Sequence, residues 1–308
     1  MRNAAPSPFP SPQWGEGKGE GNSEIQNPQS AIQRGGMGGI EKKKIWTGIF
    51  IVPPVIFLIT MGPSFVLPLM VLLATFFGLR EFYRLALPQS KWIERSVGIG
   101  LGLVLCSLIS FGGISVVLLF FVLILLMLSI LFLATSQDLS VTISNMGMML
   151  FGIFYIGFLL PHLSLIWNRP DGKQWALFLI ATVWAGDISA FLSGSFFGRH
   201  KLYPRISPNK TFEGLAGGIV GSIIVALAFA LLFIPRFDIG FCILVAIGVE
   251  ILGQLGDFTE SMLKRSAQVK DSGSLIPGHG GMLDRLDSFL FSAPFLHYSL
   301  LYLLKETP

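Results

Sequence analysis

SVGIGLGLVLCSLISFGGISVVLLFFVLILLMLSILFLATSQ, residues 96–137, contains no charged side chain. One crossing of a bilayer needs about 20 apolar residues, so this run is long enough for two. In hydrocarbon every backbone N–H and C=O must be satisfied within the segment, which leaves helices as the expected form. Gly112-Gly113 supplies the tight turn between them. The whole chain agrees with its most apolar stretch. Its 308 residues are 52% hydrophobic and only 13% charged, whereas a soluble domain carries about 25% charged residues. The mean hydropathy is +0.67. The expected fold class is therefore all-α, a polytopic integral membrane protein.

Working outward, apolar segments predict about nine spans, near 45–61, 63–80, 96–112, 114–134, 143–167, 174–198, 214–234, 239–262 and 285–304. Gly62-Pro63 and Pro235 mark further short turns. Residues 1–39 differ from everything after them. They are rich in Pro, Gly, Ser, Asn and Gln, as in SPFPSPQWGEGKGEGNSE, and hold too little apolar surface to offset the entropy of ordering. A disordered extension is expected there, followed by a single transmembrane domain over 40–308. No basic segment runs directly into an apolar core at the start, so the extension does not read as a signal peptide. Met37, followed by Lys42, Lys43, Lys44 and an apolar run, is an alternative to Met1 as the start.

Charge gives the orientation. The net charge is +4, and the basic residues gather in loops rather than in a groove suited to nucleic acid. Lys42, Lys43 and Lys44 precede the first span; Arg80, Arg84, Lys91 and Arg95 follow the second. Arg199, Lys201, Arg205 and Lys210 follow the sixth, and residues 261–287 follow the eighth. With nine spans all four clusters fall on one side, which the positive-inside rule assigns to the cytoplasm of an inner-membrane protein. Cys106 and Cys242 lie inside apolar runs and read as small buried hydrophobes, without a disulfide framework or metal spacing. His162 and His297 read as packed histidines. No Cys/His zinc pattern, nucleophile elbow or Walker loop is present.

Residues 261–287, SMLKRSAQVKDSGSLIPGHGGMLDRLD, form a polar island between apolar segments. Lys264, Arg265, Lys270 and Arg285, with backbone N–H groups exposed by Gly280 and Gly281 beside His279, suit phosphate oxygens. Asp284 and Asp287, one helical turn apart, suit a hard divalent cation such as Mg²⁺. A basic loop serving only as a topology signal would explain the lysines and arginines, but not the histidine and the grouped acids.

The preceding span carries a polar stripe. Glu250, Gln254, Asp257, Ser261 and Lys264 are spaced by four, three, four and three residues and so share one helical face. Asp257 completes a metal cage with Asp284 and Asp287 if the island folds back between spans eight and nine. Glu250, deeper, reads equally as a packing contact between helices or as functional. In WAGDISAFLSGSFFGRHK, residues 184–201, the small residues Ala190, Gly194 and Gly198 read as helix packing. Asp187 needs a cation or a partner. In ISPNKTFEG, residues 206–214, Ser207 or Thr211 is placed to cap the next helix. Lys210 sits where the helix dipole disfavours a cation, and a bound triphosphate would compensate it.

The island resembles the C-terminal signature of the phosphatidate cytidylyltransferases (CDP-diacylglycerol synthases). Ser261, Lys264, Arg265, Lys270, Asp271, Pro277, His279, Gly280, Gly281, Asp284, Arg285 and Asp287 match it without departure. A second pattern of that family is matched by Asp187, Ala190, Phe191, Gly194, Ser207, Pro208, Lys210, Thr211, Glu213 and Gly214. Asn209 stands where a second lysine is common. The resemblance implies transfer of CMP from CTP to phosphatidic acid. It implies Lys264, Arg265, Lys270, Asp271, His279 and Arg285 as catalytic residues. Ser207, Lys210, Thr211, Glu213, Gly280 and Gly281 would bind substrate, and Asp257, Asp284 and Asp287 would hold Mg²⁺, with a second cation as an option. The implied partners are CTP, phosphatidic acid in the bilayer and, as an option, a second copy of the chain; nucleic acid is not among them. Two alternatives stay open on the residues alone: a CTP-dependent transferase acting on another lipid phosphate, and an ion or solute transporter using Asp187, Glu250 and Asp257.

Overall fold

The computed structural model describes residues 54, 56–112, 117–135, 138–273, 275 and 280–303; among these, helical residues at 56–61 are followed by nine α-helices from Val66 onward and one short β-ribbon. The extension over 1–39, most of the first expected span and His279 lie outside the described residues. Helix α1 is Val66–Ala86 and α2 is Trp92–Ser107, which runs on as a π-helical turn, Leu108–Gly112. Helix α3 is Val117–Thr135, and α4, Leu139–Gly152, continues through a π-helical stretch, Ile153–Phe158, towards α5, His162–Trp167. Helix α6 is Gly172–Phe197. Strands β1, Lys201–Tyr203, and β2, Ser207–Thr211, lead into α7, Phe212–Leu232. Helix α8 is Ile239–Ser266 and α9 is Leu283–Tyr302.

Local sequence accounts for several boundaries. Asp138 caps α4 by accepting from Ser140 N–H at 2.9 Å, and Asp238 caps α8 by accepting from Phe241 N–H at 2.8 Å. The Thr211 hydroxyl caps α7 by accepting from Gly214 N–H at 3.0 Å, so of the two expected caps Thr211 serves and Ser207 does not. Ser207 instead begins the ribbon, which adds a small sheet to the all-α reading. The proline after it disfavours helical backbone at Ser207 and favours an extended one. The strands are antiparallel, with Lys201 opposite Thr211 and Tyr203 opposite Ser207.

Among the described residues seven helical stretches are long and apolar enough to cross a membrane, and they coincide with expected spans two to eight. Helix α9, the ninth expected span, has 20 residues but opens with Asp284, Arg285 and Asp287 and buries Ser288, Ser292, His297 and Ser299. Its lower hydropathy follows from its position. Leu283 and Leu290 pack into one apolar core with α1 to α5, whereas Ala293, Leu296 and Leu300 pack into a second with α6, α7 and α8. Helix α9 therefore meets protein on most sides, and buried hydroxyls find partners there. Helix α3 is the opposite case: Leu118 and Leu133 are more than 80% exposed, as a lipid-facing helix requires.

Small residues set the closest approaches. Ala190 and Gly194 of α6 lie against Gly214 and Gly218 of α7, in keeping with the packing role expected for that spacing. Gly256 of α8 is the tightest point against α9, since a Cβ there would lie 2.1 Å from the Asp287 carbonyl oxygen. Gly256→Ala is expected to lower stability by about 1–3 kcal/mol through overpacking. Gly147→Ala on α4, where an added Cβ meets nothing within 4 Å, is expected to be neutral or to stabilise by up to about 1 kcal/mol. Thermal unfolding of the two variants in one detergent checks the contrast.

Candidate active site

The backbone contact at Gly256 carries Asp257 to the side of Asp287, and both acids open onto one cavity of about 560 Å³. Its wall combines Asp187 and Phe191 from α6, Lys210 and Thr211 from β2, Leu215 from α7, Gln254 and Asp257 from α8, and Asp284 and Asp287 from α9. The stripe expected on the eighth span lies on α8 as its spacing requires. Two sequence patterns separated by more than 40 residues thus meet in space.

Lys210, Asp257, Asp284 and Asp287 in this wall have defined partners. Lys210 Nζ lies 2.6 Å from Asp257 Oδ2, donates to Gln254 Oε1 at 2.7 Å, and stands 4.6 Å from the centre of the Phe258 ring. Ser261 Oγ donates to the other oxygen, Asp257 Oδ1, at 3.2 Å. Gln254 Nε2 in turn donates to Glu250 Oε1 at 3.2 Å, and Ser222 Oγ donates to Glu250 Oε2 at 3.3 Å. Glu250 is 3% exposed, in a slot left by Gly186 and Gly218, where a Cβ would fall 1.7 and 2.3 Å from its oxygens. A hydrogen-bonded line therefore runs from the bundle interior to Lys210.

Asp284 is the most fully bonded acid. It accepts from Lys264 Nζ at 2.7 Å, from Ser272 N–H at 3.0 Å and Oγ at 2.9 Å, and from Gly281 N–H at 2.7 Å. Lys264 also pairs with Glu260, whose side chain is wholly buried. Asp287 Oδ1 accepts from Ser288 N–H at 2.8 Å, and the charges of Asp257 and Asp187 act on it.

The remaining expected site residues are placed less centrally. Arg265 donates to the carbonyls of Ile206 at 3.4 Å and Val269 at 3.0 Å, tying α8 to the ribbon. Lys270, Asp271 and Arg285 are exposed and Ser207 is half-buried, and none of the four is in the cavity wall. Glu213 is turned to His200, accepting from Nδ1 at 2.6 Å and from the N–H of Arg199 at 3.1 Å. Gly280 adopts φ 83°, a left-handed conformation that glycine tolerates, and a Cβ there would fall 2.7 Å from Asp284 Oδ2. Gly281 was expected to offer its N–H to phosphate, but that N–H is engaged by Asp284. The expected cage of Asp257, Asp284 and Asp287 is likewise not closed. Among the described residues no three His, Cys, Asp or Glu side chains form a group that could hold a metal. Lys210 and Lys264 each draw one carboxylate aside.

Two acids escaped the sequence reading. Glu260 had a local signal, four residues before Lys264 on the same helix. Glu81 of α1 had none, because its partners Ser272, Met282 and Leu283 are about 200 residues away.

Lys264 serves two carboxylates at once, so Lys264→Met leaves Glu260 and Asp284 together without a cation. A loss of about 3–5 kcal/mol is expected, the cost of breaking a buried pair. Adding Glu260→Gln should restore part of it, as read by thermal unfolding in detergent.

Comparison with known proteins gives the family. The profile of the cytidylyltransferase family matches residues 42–303. A phosphatidate cytidylyltransferase of Bacillus subtilis is 36% identical over 269 residues, covering 84% of this chain and 97% of that one. A phosphatidate cytidylyltransferase of Staphylococcus epidermidis is 46% identical over 134 residues, 44% of this chain and 52% of that one. One from Staphylococcus aureus is 46% identical over 136 residues, with the same two coverages. Matched over most of its length by the profile and by the Bacillus relative, the chain belongs to the cytidylyltransferase family.

Proposed function

We propose that the protein transfers CMP from CTP to phosphatidic acid, giving CDP-diacylglycerol and pyrophosphate. The observation that carries this reading is the cavity, whose wall brings together two lysines and four aspartates from three helices and the ribbon. Its wall also includes Phe191 and Leu215, so it offers apolar surface to a lipid beside polar groups for phosphates.

In the reaction an oxygen of the lipid phosphate attacks the α-phosphorus of CTP. The new P–O bond forms as the bond to the bridging oxygen of the β-phosphate breaks, and pyrophosphate leaves with that electron pair. The nucleophile is already an anion, so no strong general base is needed. The protein has to overcome repulsion between anions and hold the reactants in line. Lys210, a residue of the cavity wall paired with Asp257, is proposed to meet a phosphate oxygen. Lys264 holds Asp284 and so keeps the start of α9 against α8. Arg265, Lys270, His279 and Arg285 are proposed to receive the outer phosphates as these approach over the island.

Asp187, Asp257 and Asp287 bring hard carboxylate oxygens to one wall, and their charges act on one another. Among the described residues they do not form a ready three-carboxylate cage, so Mg²⁺, which keeps phosphate and water oxygens among its ligands, would take one or two of these carboxylates and the rest from the triphosphate. Bound there, Mg²⁺ would act as a Lewis acid and neutralise charge on the reacting phosphates.

Because CTP cannot cross lipid, the cavity should open to the cytoplasm, as the basic loops require. A cysteine at exposed Arg205 should react with a membrane-impermeant thiol reagent only in inverted vesicles. One at exposed Pro235 should react in intact cells, with buried Cys106 and Cys242 replaced by alanine. Labelling of position 205 from outside would overturn both orientation and function.

A direct CTP:phosphatidate assay tests the chemistry. Activity should vanish in excess EDTA and return with Mg²⁺. Asp257→Asn should lower kcat by more than about 100-fold, beyond what loss of a merely supporting residue costs, while expression and detergent behaviour stay near wild type.

A further inference from the structure

Glu81 is the only acid in α1, yet its carboxylate is built into the polar island. Oε1 accepts from Met282 N–H at 3.0 Å and Oε2 from Leu283 N–H at 2.8 Å. These amides belong to the start of α9, where backbone donors have no partner within the helix. Helix α9 has no side-chain cap of its own. A cap normally comes from the residue just before a helix; here it comes from another helix. A carboxylate at this end is also favoured by the helix dipole.

Two further contacts bind Glu81 to the site. Ser272 Oγ lies 3.0 Å from Glu81 Oε2 and 2.9 Å from Asp284 Oδ2, with one hydrogen to share between the two acids. Gly273 and Gly281 leave the space that Glu81 occupies, since a Cβ at either would fall 2.5 or 2.4 Å from its oxygens. Asp284 is the second residue of α9, and Asp287 follows three positions later. Whatever places the first turn of α9 also places both acids.

We propose that Glu81 is a positioning residue for the transfer reaction. It fixes where α9 begins, and thereby where Asp284 and Asp287 stand, without touching substrate. The kinetic part rests on the function proposed above; the structural part does not.

The test uses the full chain in detergent, as wild type, Glu81→Gln and Ser272→Ala. Glutamine keeps the size of the side chain but turns an NH₂ group towards one of the two backbone donors. Hydrogen exchange of peptides over 280–290 should then speed up by about tenfold or more through local opening, while peptides from α6 and α7 stay unchanged. In the CTP:phosphatidate assay the half-saturating Mg²⁺ concentration should rise and kcat fall, each by about 10- to 100-fold, with KM for phosphatidate little altered. Ser272→Ala should move both quantities the same way by less, and it carries the test if Glu81→Gln does not fold. Unchanged exchange at 280–290, faster exchange throughout the bundle, or a fall in kcat at constant Mg²⁺ half-saturation would each overturn the inference. If the wild type lacks CTP:phosphatidate activity, the proposed function fails, and the exchange measurement alone decides the role of Glu81.

Discussion

Asp187, Asp257, Asp284 and Asp287 share the wall of one cavity, with Lys201 and Lys210 as the lysines beside them among the described residues. An ionised carboxylate within or near a bilayer is expensive unless it is paired, bonded or wetted. Much of the surrounding structure answers that cost. Lys210 and Ser261 take the two oxygens of Asp257, and Lys264 with two backbone amides and a hydroxyl takes Asp284. Carboxylates still outnumber ammonium groups in the wall, and a bound divalent cation suits that excess better than further lysines would. A triphosphate arriving with its cation would bring anion and counter-charge together.

The acids are held by packing as much as by charge. Helix α9 belongs to both apolar cores and so cannot slide against one without disturbing the other. Gly256 lets α8 touch its backbone beside Asp287. Such close-packed contacts resist small displacements, which matters where misplacing a reacting group by about 1 Å can cost 100-fold in rate. Glu81 extends the same logic to α1, bringing a helix from the first core into contact with the beginning of α9.

Deeper in the bundle, Glu250 joins interhelical packing to the hydrogen bonds of the cavity wall. It is buried between α6, α7 and α8, as a contact between helices would be. Its bonds lead through Gln254 to Lys210 in the cavity wall.

Much of this was legible in the residues themselves. Hydropathy located the helices, because a bilayer demands long apolar segments with internally satisfied backbones. Spacing along 250–264 put the polar stripe on one face, since 3.6 residues per turn is a local property. The Asp284 to Asp287 interval, the Thr211 cap and the small-residue contacts of α6 are local in the same sense. Tertiary structure decided the rest. It chose Lys210 as the partner of Asp257, spent the Gly281 amide on Asp284, turned Glu213 to His200, and set Ser207 in a ribbon. It also brought Glu81 to the start of a helix some 200 residues away. A local pattern states what a side chain can bond; which partner it meets depends on helices packed far apart in the chain, and their small-residue contacts fix the distances only once the bundle has formed.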